Sequence, residues 1–275
     1  MSTSPYLVAL DIDGTLIDYD QSMTERVRTA VAGVVAAGHQ VVVATGRSVV
    51  GTVDVLALLD LAQGFAVCSN GAVTLRLDPQ AQGGYVVHDT VTFDARAAVA
   101  LLRQELPDAL FAVEVVGSGS RINAPWPEGE LSGVLEVVPF ERLLDGETTR
   151  VVVRSPEHAP EHFLEMVERI GLHGVSYAVG YTAWLDLAPE GVSKASALEK
   201  VRVELGVPPG RTLAVGDGRN DLEMLAWAAR GVAMGNAADV VLAAADEIAL
   251  PVDEDGLAVV LEDLLHAETG ARPPA

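Results

Sequence analysis

Short apolar runs, each ended by a small polar or acidic cluster, set the rhythm of this chain. Leu7–Leu10, Gln40–Ala44 and Phe65–Cys68 are too apolar to have a wet face, which predicts strands covered on both sides. Between them, Ser22-Met23-Thr24-Glu25 has a capping-box pattern and opens a helix through Ala37, stopped by Gly38. A second helix spans Val49 to Ala62. Strand, helix, strand, helix, strand indicates an α/β core with a doubly wound, mainly parallel sheet. The texture returns after residue 190 with a helix from Lys194 to Leu205 and a buried strand over Arg211–Val215. A helix from Asp221 to Ala229 and a last one over Leu257–Leu265 follow.

The middle of the chain reads differently. Thr74–Leu77 and Tyr85–His88 flank Gly83-Gly84 and predict an antiparallel hairpin. Helices near Ala95–Leu106 and Glu161–Ile170 alternate with strands near Leu110–Val116, Val134–Val138, Arg150–Arg154, Val175–Ala178 and Ala183–Leu187. Gly117–Gly119 and Pro125–Gly129 read as loops. The expectation is an α+β module over residues 81–187, inserted into a core made of residues 1–80 and 188–275.

The predicted strand ends carry the chemistry. The first stops in Asp11-Ile12-Asp13-Gly14-Thr15, and two acids two residues apart on an extended chain point to one side. Like charges so close are costly unless a cation joins them or one is protonated; a solvated Asp-Gly turn is the plain alternative. Thr45-Gly46-Arg47 ends the second strand, and taken alone it is as ordinary as any helix entrance. Ser69-Asn70-Gly71-Ala72 ends the third, and Gly216-Asp217-Gly218-Arg219-Asn220-Asp221 ends the late one. In open α/β sheets such ends converge on one rim, where ligands bind. The last cluster could also be an acidic turn or a calcium loop, although its spacing is not that of an EF-hand and no closing Glu follows.

Composition narrows the classes. A formal charge of −21 disfavours nucleic acid and anionic lipid as partners. No apolar run approaches the roughly 20 residues of a membrane span. The start, Met1–Pro5, lacks a leader pattern, and the lone cysteine, Cys68, fits a small buried hydrophobe in a reducing cytoplasm. The six histidines are scattered without metal-ligand spacing. Among 18 basic residues only Lys194 and Lys200 are lysines, which marks one of them as a candidate placed point charge. A nucleotide-dependent kinase is disfavoured because no Gly-x-x-x-x-Gly-Lys-Ser/Thr loop is present.

The four clusters in order (Asp11-x-Asp13, Thr45-Gly46-Arg47, Lys194 and Gly216–Asp221) resemble the haloacid-dehalogenase-like (HAD) phosphohydrolases across the whole core. Ser69–Ala72 and the position of the insert resemble the Cof-type, class IIB branch, which implies a Rossmann-like core with a C2B-type cap. The resemblance implies Asp11 as nucleophile and Asp13 as general acid/base. Asp13 favours phosphoryl transfer over dehalogenation, because a halide needs no proton. Mg²⁺ is the implied cofactor, held by Asp11, Asp217, Asp221 and the backbone carbonyl of Asp13. Thr45, Gly46, Lys194 and Asn220 are phosphate-binding candidates. Lys200, on another face of the same helix, is expected in solvent. Arg47 reaches either the substrate or a surface acid, with Asn70 and Gly71 close by. His88, Glu114, Arg121, Asn123 and Arg154 are chosen from the insert as polar candidates for reading the substrate. The expected activity is Mg²⁺-dependent hydrolysis of a small phosphorylated metabolite, a sugar phosphate, through an aspartyl-phosphate. A sugar phosphomutase and a catalytically silent binding protein are the alternatives, and nothing in the sequence sets an oligomeric state.

Overall fold

The computed structural model describes residues 4–157, 159–179 and 183–269. β1 (Leu7–Leu10), α1 (Glu25–Ala36), β2 (Gln40–Ala44), α2 (Val49–Leu58) and β3 (Gly64–Cys68) form the predicted alternation, with β1, β2 and β3 paired in parallel. Helix α1 starts two residues later than the Ser22 pattern suggests. Thr24 is its N-cap, with Oγ1 accepting from the Val27 amide at 3.2 Å. β4 (Val73–Leu77) and β5 (Tyr85–Thr90) then add an antiparallel hairpin to the same sheet. The boundary expected at residue 80 therefore falls inside this hairpin: β5 continues the core ladder rather than opening the insert.

The insert contributes α3 (Arg96–Glu105), β6 (Leu110–Val115), β7 (Gly119–Ile122), β8 (Val134–Val137), β9 (Val151–Arg154), α4 (Pro160–Ile170), β10 (Val175–Val179) and β11 (Trp184–Pro189). Its six strands lie in the order β10-β11-β9-β6-β7-β8. β7 has no counterpart among the predicted strands, and only its first residue, Gly119, belongs to the Gly117–Gly119 loop reading. Gly119 is there for a different reason: a Cβ would sit 2.1 Å from the Val134 carbonyl oxygen, so only glycine lets β7 and β8 approach. α3 and α4 cover one face of this sheet, packing Leu102 and Phe163 on Val113, Val151, Val153, Leu185 and Leu187. Because side chains alternate along a strand, Glu114, Ser120, Trp184 and Asp186 are on the other face, toward the core.

The chain returns through α5 (Lys194–Glu204), β12 (Thr212–Gly216), α6 (Leu222–Trp227), β13 (Arg230–Ala233), α7 (Asp239–Leu242), β14 (Glu247–Ile248) and α8 (Gly256–Thr269). β13 is followed directly by the turn over Met234–Ala237. The core order is β14-β13-β12-β1-β2-β3-β4-β5. From β1 the chain winds outward to β2 and β3 on one side, and from β12 to β13 and β14 on the other. The β1–β12 pair is thus the switch point of the sheet, where a crevice opens at the carboxyl ends.

Alternate residues of β1 feed two apolar layers. Val8 and Leu10 pack with Val31, Val34 and Leu261 of α1 and α8, while Leu7 and Ala9 pack with Leu198, Val201 and Met224 of α5 and α6. Each fully buried Val or Leu contributes about 1.5–3 kcal/mol, so β1, covered on both faces, anchors whatever its end carries. No helix of the described residues is long and apolar enough to cross a membrane.

Cys68 ends β3, fully buried, and burial pushes its thiol up to about 12. Aryl disulfide reagents at pH 8 should leave the native protein unlabelled and modify one thiol per chain on urea unfolding. Rapid labelling without denaturant would contradict this packing of β3.

Candidate active site

Asp11 leaves the end of β1 and Asp217 the end of β12, on adjacent strands of the switch point. Asp221 follows one short turn later, and its Oδ2 accepts from the Asp217 and Gly218 amides at 3.0 and 2.9 Å. Carboxylate oxygens of Asp11, Asp217 and Asp221 lie within 4.8 Å of one another, and all three residues are buried. Gly216 and Gly14 make this crowding possible. A Cβ on either would overlap the carboxylate of Asp221 or Asp217, and Gly14 also has a positive φ of 76°.

Lys194, first residue of α5, enters the cluster fully buried. Its Nζ donates to Asp11 Oδ1 and Asp221 Oδ1, both at 2.6 Å. Burial alone would lower the Lys194 pKa, but Asp11 and Asp221 outweigh it and hold the ammonium charged. One cation does not balance three acids. Burial first, then the Asp221, Asp217 and Asp13 charges, push the Asp11 carboxyl well above its usual range, and Lys194 offsets only part of this. Lys200 is an exposed partner of Asp89, as its place on another face of the helix requires.

Two turns close the opposite side. Thr45 is buried, and its Oγ1 accepts from the Arg47 amide at 3.0 Å. The Ser69-Asn70-Gly71 turn bends beside it with three successive positive φ values, 52°, 53° and 102°. Such a conformation costs about 1–3 kcal/mol for each non-glycine residue and persists only where the surroundings impose it. Here the Asn70 amide donates to the Thr45 carbonyl at 3.0 Å, and Asn220 Nδ2 donates to Asn70 Oδ1 at 3.0 Å. A Cβ on Gly46 would stand 3.2 Å from that same Asn70 oxygen. Gly71 lies so close to Ser193 that a Cβ would reach 2.2 Å from its carbonyl oxygen, which fixes this turn on the residue before Lys194. Thr45, Gly46, Asn70, Gly71, Lys194 and Asn220 are therefore one connected wall.

Asp13 is outside the carboxylate cluster and half exposed. Arg47 grips it through Nε–Oδ2 at 2.9 Å and Nη2–Oδ1 at 2.5 Å, so the acid that Arg47 meets belongs to the site itself. Two core residues were not anticipated. Tyr19 donates its hydroxyl to Asp217 Oδ2 at 2.9 Å, and Asn236 Nδ2 donates to the Gly14 carbonyl at 3.0 Å and to Asp217 Oδ2 at 3.3 Å. Tyr19 carries no local signal. Asn236 sits in the stretch after β13 that reads as a structural loop.

Between this rim and the polar face of the insert lies a cleft of about 710 Å³, lined by Asp11, Asp13, Thr45, Arg47, Asp217 and Asn220 below and by Ser120, Glu130, Arg150, Trp184 and Asp186 above. The insert residues chosen for polarity take other places. His88 is on core strand β5 and pairs with Glu204 at 2.8 Å. Arg121 is held by the Asp145 and Arg142 carbonyls, because it alternates to the face away from Ser120 and Ile122. Asn123 closes β6 by accepting from the Phe111 amide at 2.7 Å and donating to Ala109 at 3.2 Å. Arg154 is tied to Glu130 at 3.1 Å, and Glu114 is buried against the core turns. The insert residues that do face the cleft include Arg150 and Asp186, paired at 2.6 Å, with Trp184 Nε1 donating to Asp186 Oδ2 at 3.1 Å. Burial would lower the Arg150 pKa, but Asp186, then Glu114 and Asp13, raise it. The alternation Trp184-x-Asp186 on a predicted strand was the signal available for them.

The geometry agrees with comparisons to known proteins. Residues 8–261 match the family model of haloacid dehalogenase-like hydrolases. The chain is similar to 5-amino-6-(5-phospho-D-ribitylamino)uracil phosphatase YitU of Bacillus subtilis, 26% identical over 96% of this chain and 98% of that protein. Among solved structures, the HAD phosphatase BT1666 from Bacteroides thetaiotaomicron is 26% identical, covers 94% of this chain and 95% of its own, and superposes with a TM-score of 0.76. The HAD subclass IIB sugar phosphatase BT4131 is 23% identical, covers 94% of this chain and 98% of its own, and shares the fold at a TM-score of 0.79. With a family match running from β1 into α8 and the acids gathered at the switch point, this chain belongs to the haloacid dehalogenase-like hydrolases.

Proposed function

We propose that the chain is a Mg²⁺-dependent phosphatase that hydrolyses a small sugar phosphate through an aspartyl-phosphate on Asp11. The observation that carries this reading is the charge deficit at the switch point: three buried carboxylates meet one buried ammonium, at the mouth of a cleft sized for a metabolite. All the donors are hard oxygens, so the set fits a divalent hard cation, with Asp11, Asp217 and Asp221 as ligands and the Asp13 carbonyl as the further ligand that the family resemblance implies. When bound, Mg²⁺ supplies charge neutralisation for the acids and for a phosphate dianion.

The chain's own groups divide the remaining work. Lys194 takes Asp11 Oδ1, which leaves Oδ2 to attack phosphorus. The phosphorus–oxygen bond to the leaving group then breaks as the new one forms. Thr45 Oγ1, Asn220 and the Lys194 ammonium offer donors to the transferring group, preorganised by the wall that joins them. Asp13 gives the leaving oxygen its proton and later takes one from water. For that it must leave Arg47, whose guanidinium is then available to an anionic oxygen of the ester.

The upper half of the cleft supports an uncharged, hydroxyl-bearing leaving group. Glu128, Glu130 and Asp186 line it, with Glu130 paired to Arg154 and Asp186 to Arg150, so a second anion would meet the surplus negative charge of Glu128. The Arg150–Asp186 pair offers oriented donors and acceptors for hydroxyls, and Trp184 offers a flat wall for the C–H edge of a sugar.

Three outcomes are expected. Asp11→Asn should lower Mg²⁺-dependent turnover of p-nitrophenyl phosphate by a factor on the order of 10³ or more, and the wild type should yield a phosphorylated Asp11 peptide after rapid quench. Retained turnover would remove the aspartyl-phosphate mechanism. Chelation with EDTA should abolish hydrolysis and added Mg²⁺ should restore it, while Asp217→Asn should raise the Mg²⁺ concentration for half-activity by at least about tenfold. A hexose monophosphate should be hydrolysed with a kcat/KM at least about tenfold above that of the matching bisphosphate, and Asp186→Asn should narrow that ratio. A preference for the bisphosphate would show that the insert reads a second anion.

A further inference from the structure

Glu114 is a buried carboxylate that comes from the insert but makes two of its three side-chain hydrogen bonds to the core. Its Oε2 accepts from Ser69 Oγ at 2.5 Å and from Thr149 Oγ1 at 3.4 Å, and its Oε1 accepts from the Val49 amide at 3.3 Å. Val49 is the first residue of α2, and Ser48, the N-cap of that helix, makes no side-chain capping bond of its own. A carboxylate at a helix start satisfies an otherwise open amide and complements the helix dipole. The insert thus supplies the cap of a core helix.

The two places Glu114 touches are the two turns of the phosphate wall. Ser69 starts the left-handed Ser69–Gly71 turn, and Val49 follows Thr45–Ser48 directly. Those turns are already joined, since the Ser69 amide donates to the Arg47 carbonyl at 2.8 Å and the Asn70 amide to the Thr45 carbonyl at 3.0 Å. Beyond them lie Asn220, through Asn70, and Lys194, through the packing of Gly71 on Ser193. The positive-φ Ser69–Gly71 turn holds only while its surroundings impose it, and one oxygen pair on β6 bonds both that turn and the first amide of α2.

We infer that Glu114 is a positioning residue: it fastens the Thr45–Val49 and Ser69–Gly71 turns to the insert, so that the phosphate wall is aligned only while the insert is seated on the core. Its kinetic consequence rests on the phosphatase reading; its structural consequence does not.

Hydrogen exchange and kinetics on the full chain test this together, with Glu114→Ala, Ser69→Ala, Glu114→Gln and the Glu114→Ala/Ser69→Ala double variant. Amide exchange across residues 47–52 and 69–72 should speed up by at least about tenfold in both alanine variants, with β1 and β12 unchanged. Hydrolysis of p-nitrophenyl phosphate with Mg²⁺ should lose at least about tenfold in kcat, with a smaller change in KM, as expected when groups that hold the transition state drift. Glu114→Gln, which keeps an acceptor for Ser69, should recover part of that loss. The double variant should be no worse than Glu114→Ala, because both changes remove one interaction. Should Glu114→Ala fail to fold, Ser69→Ala removes the same bond with less disturbance and decides alone. Unchanged exchange at both turns, faster exchange with kcat intact, or additive losses would each overturn the inference. A wild-type chain inactive on every phosphate ester would instead sink the phosphatase reading, and exchange alone would then decide the role of Glu114.

Discussion

Three carboxylates buried together with one ammonium make an arrangement that no small chain would hold without support. Leaving one partner of a buried ion pair alone costs about 3–5 kcal/mol, and here a single lysine serves two acids. The surrounding structure is the compensation. β1 and β12 are fully buried, Gly14 and Gly216 clear the space, and the Asp217 and Gly218 amides, with Tyr19 and Asn236, donate to the acids. What these groups leave unbalanced is net negative charge, and that imbalance is what makes the place a site rather than a structural network.

The same economy explains how the two sheets share the work. The core places its acids on strand ends and turns, where each side chain is set by a backbone path. The insert places its groups on strand faces, at every second residue, above the rim. Glu114 and Asp186 belong to this face, yet they point to different tasks: Asp186 borders the open cleft beside Arg150, whereas Glu114 is sealed against Ser69 and Val49. One sheet face therefore carries both the upper wall of the cleft and a carboxylate bonded to the core turns.

Much of the core was legible in the sequence because its signals are local. An apolar run that stops in Asp-x-Asp or Gly-Asp-Gly states both the strand and its end, and the lysine bias narrowed the placed charge to Lys194 or Lys200, of which the order of the motifs chose Lys194. The insert was less legible because its site residues were chosen by polarity alone. Polarity does not separate Arg121, which alternates to the far face, from Ser120, which lines the cleft. Period-two reading of β9 and β11 would have separated Trp184 and Asp186 from Leu185 and Leu187. The edge hairpin was misplaced for another reason: membership of a sheet is set by which ladder a strand extends, and β5 extends the core through β4. Glycine misled at Gly119, where it signals close approach of two backbones rather than a loop.

Chemistry and substrate choice can therefore change independently in this architecture. A substitution at Trp184, or one that replaces Arg150 and Asp186 together, alters side chains on a sheet face whose opposite face is packed by α3 and α4, whereas changing one of that pair strands the other. Replacing Lys194 leaves three buried acids without their cation, and replacing Asp11, Asp217 or Asp221 changes the charge and hydrogen bonds of that cluster, so at the switch point stability and reactivity are not separable. Glu114 falls between these cases. It lies outside the cleft lining and the carboxylate cluster, but it bonds the strained Ser69–Gly71 turn and the start of α2, so on the positioning role inferred above the insert can vary its cleft-facing residues only while that carboxylate keeps its two core partners.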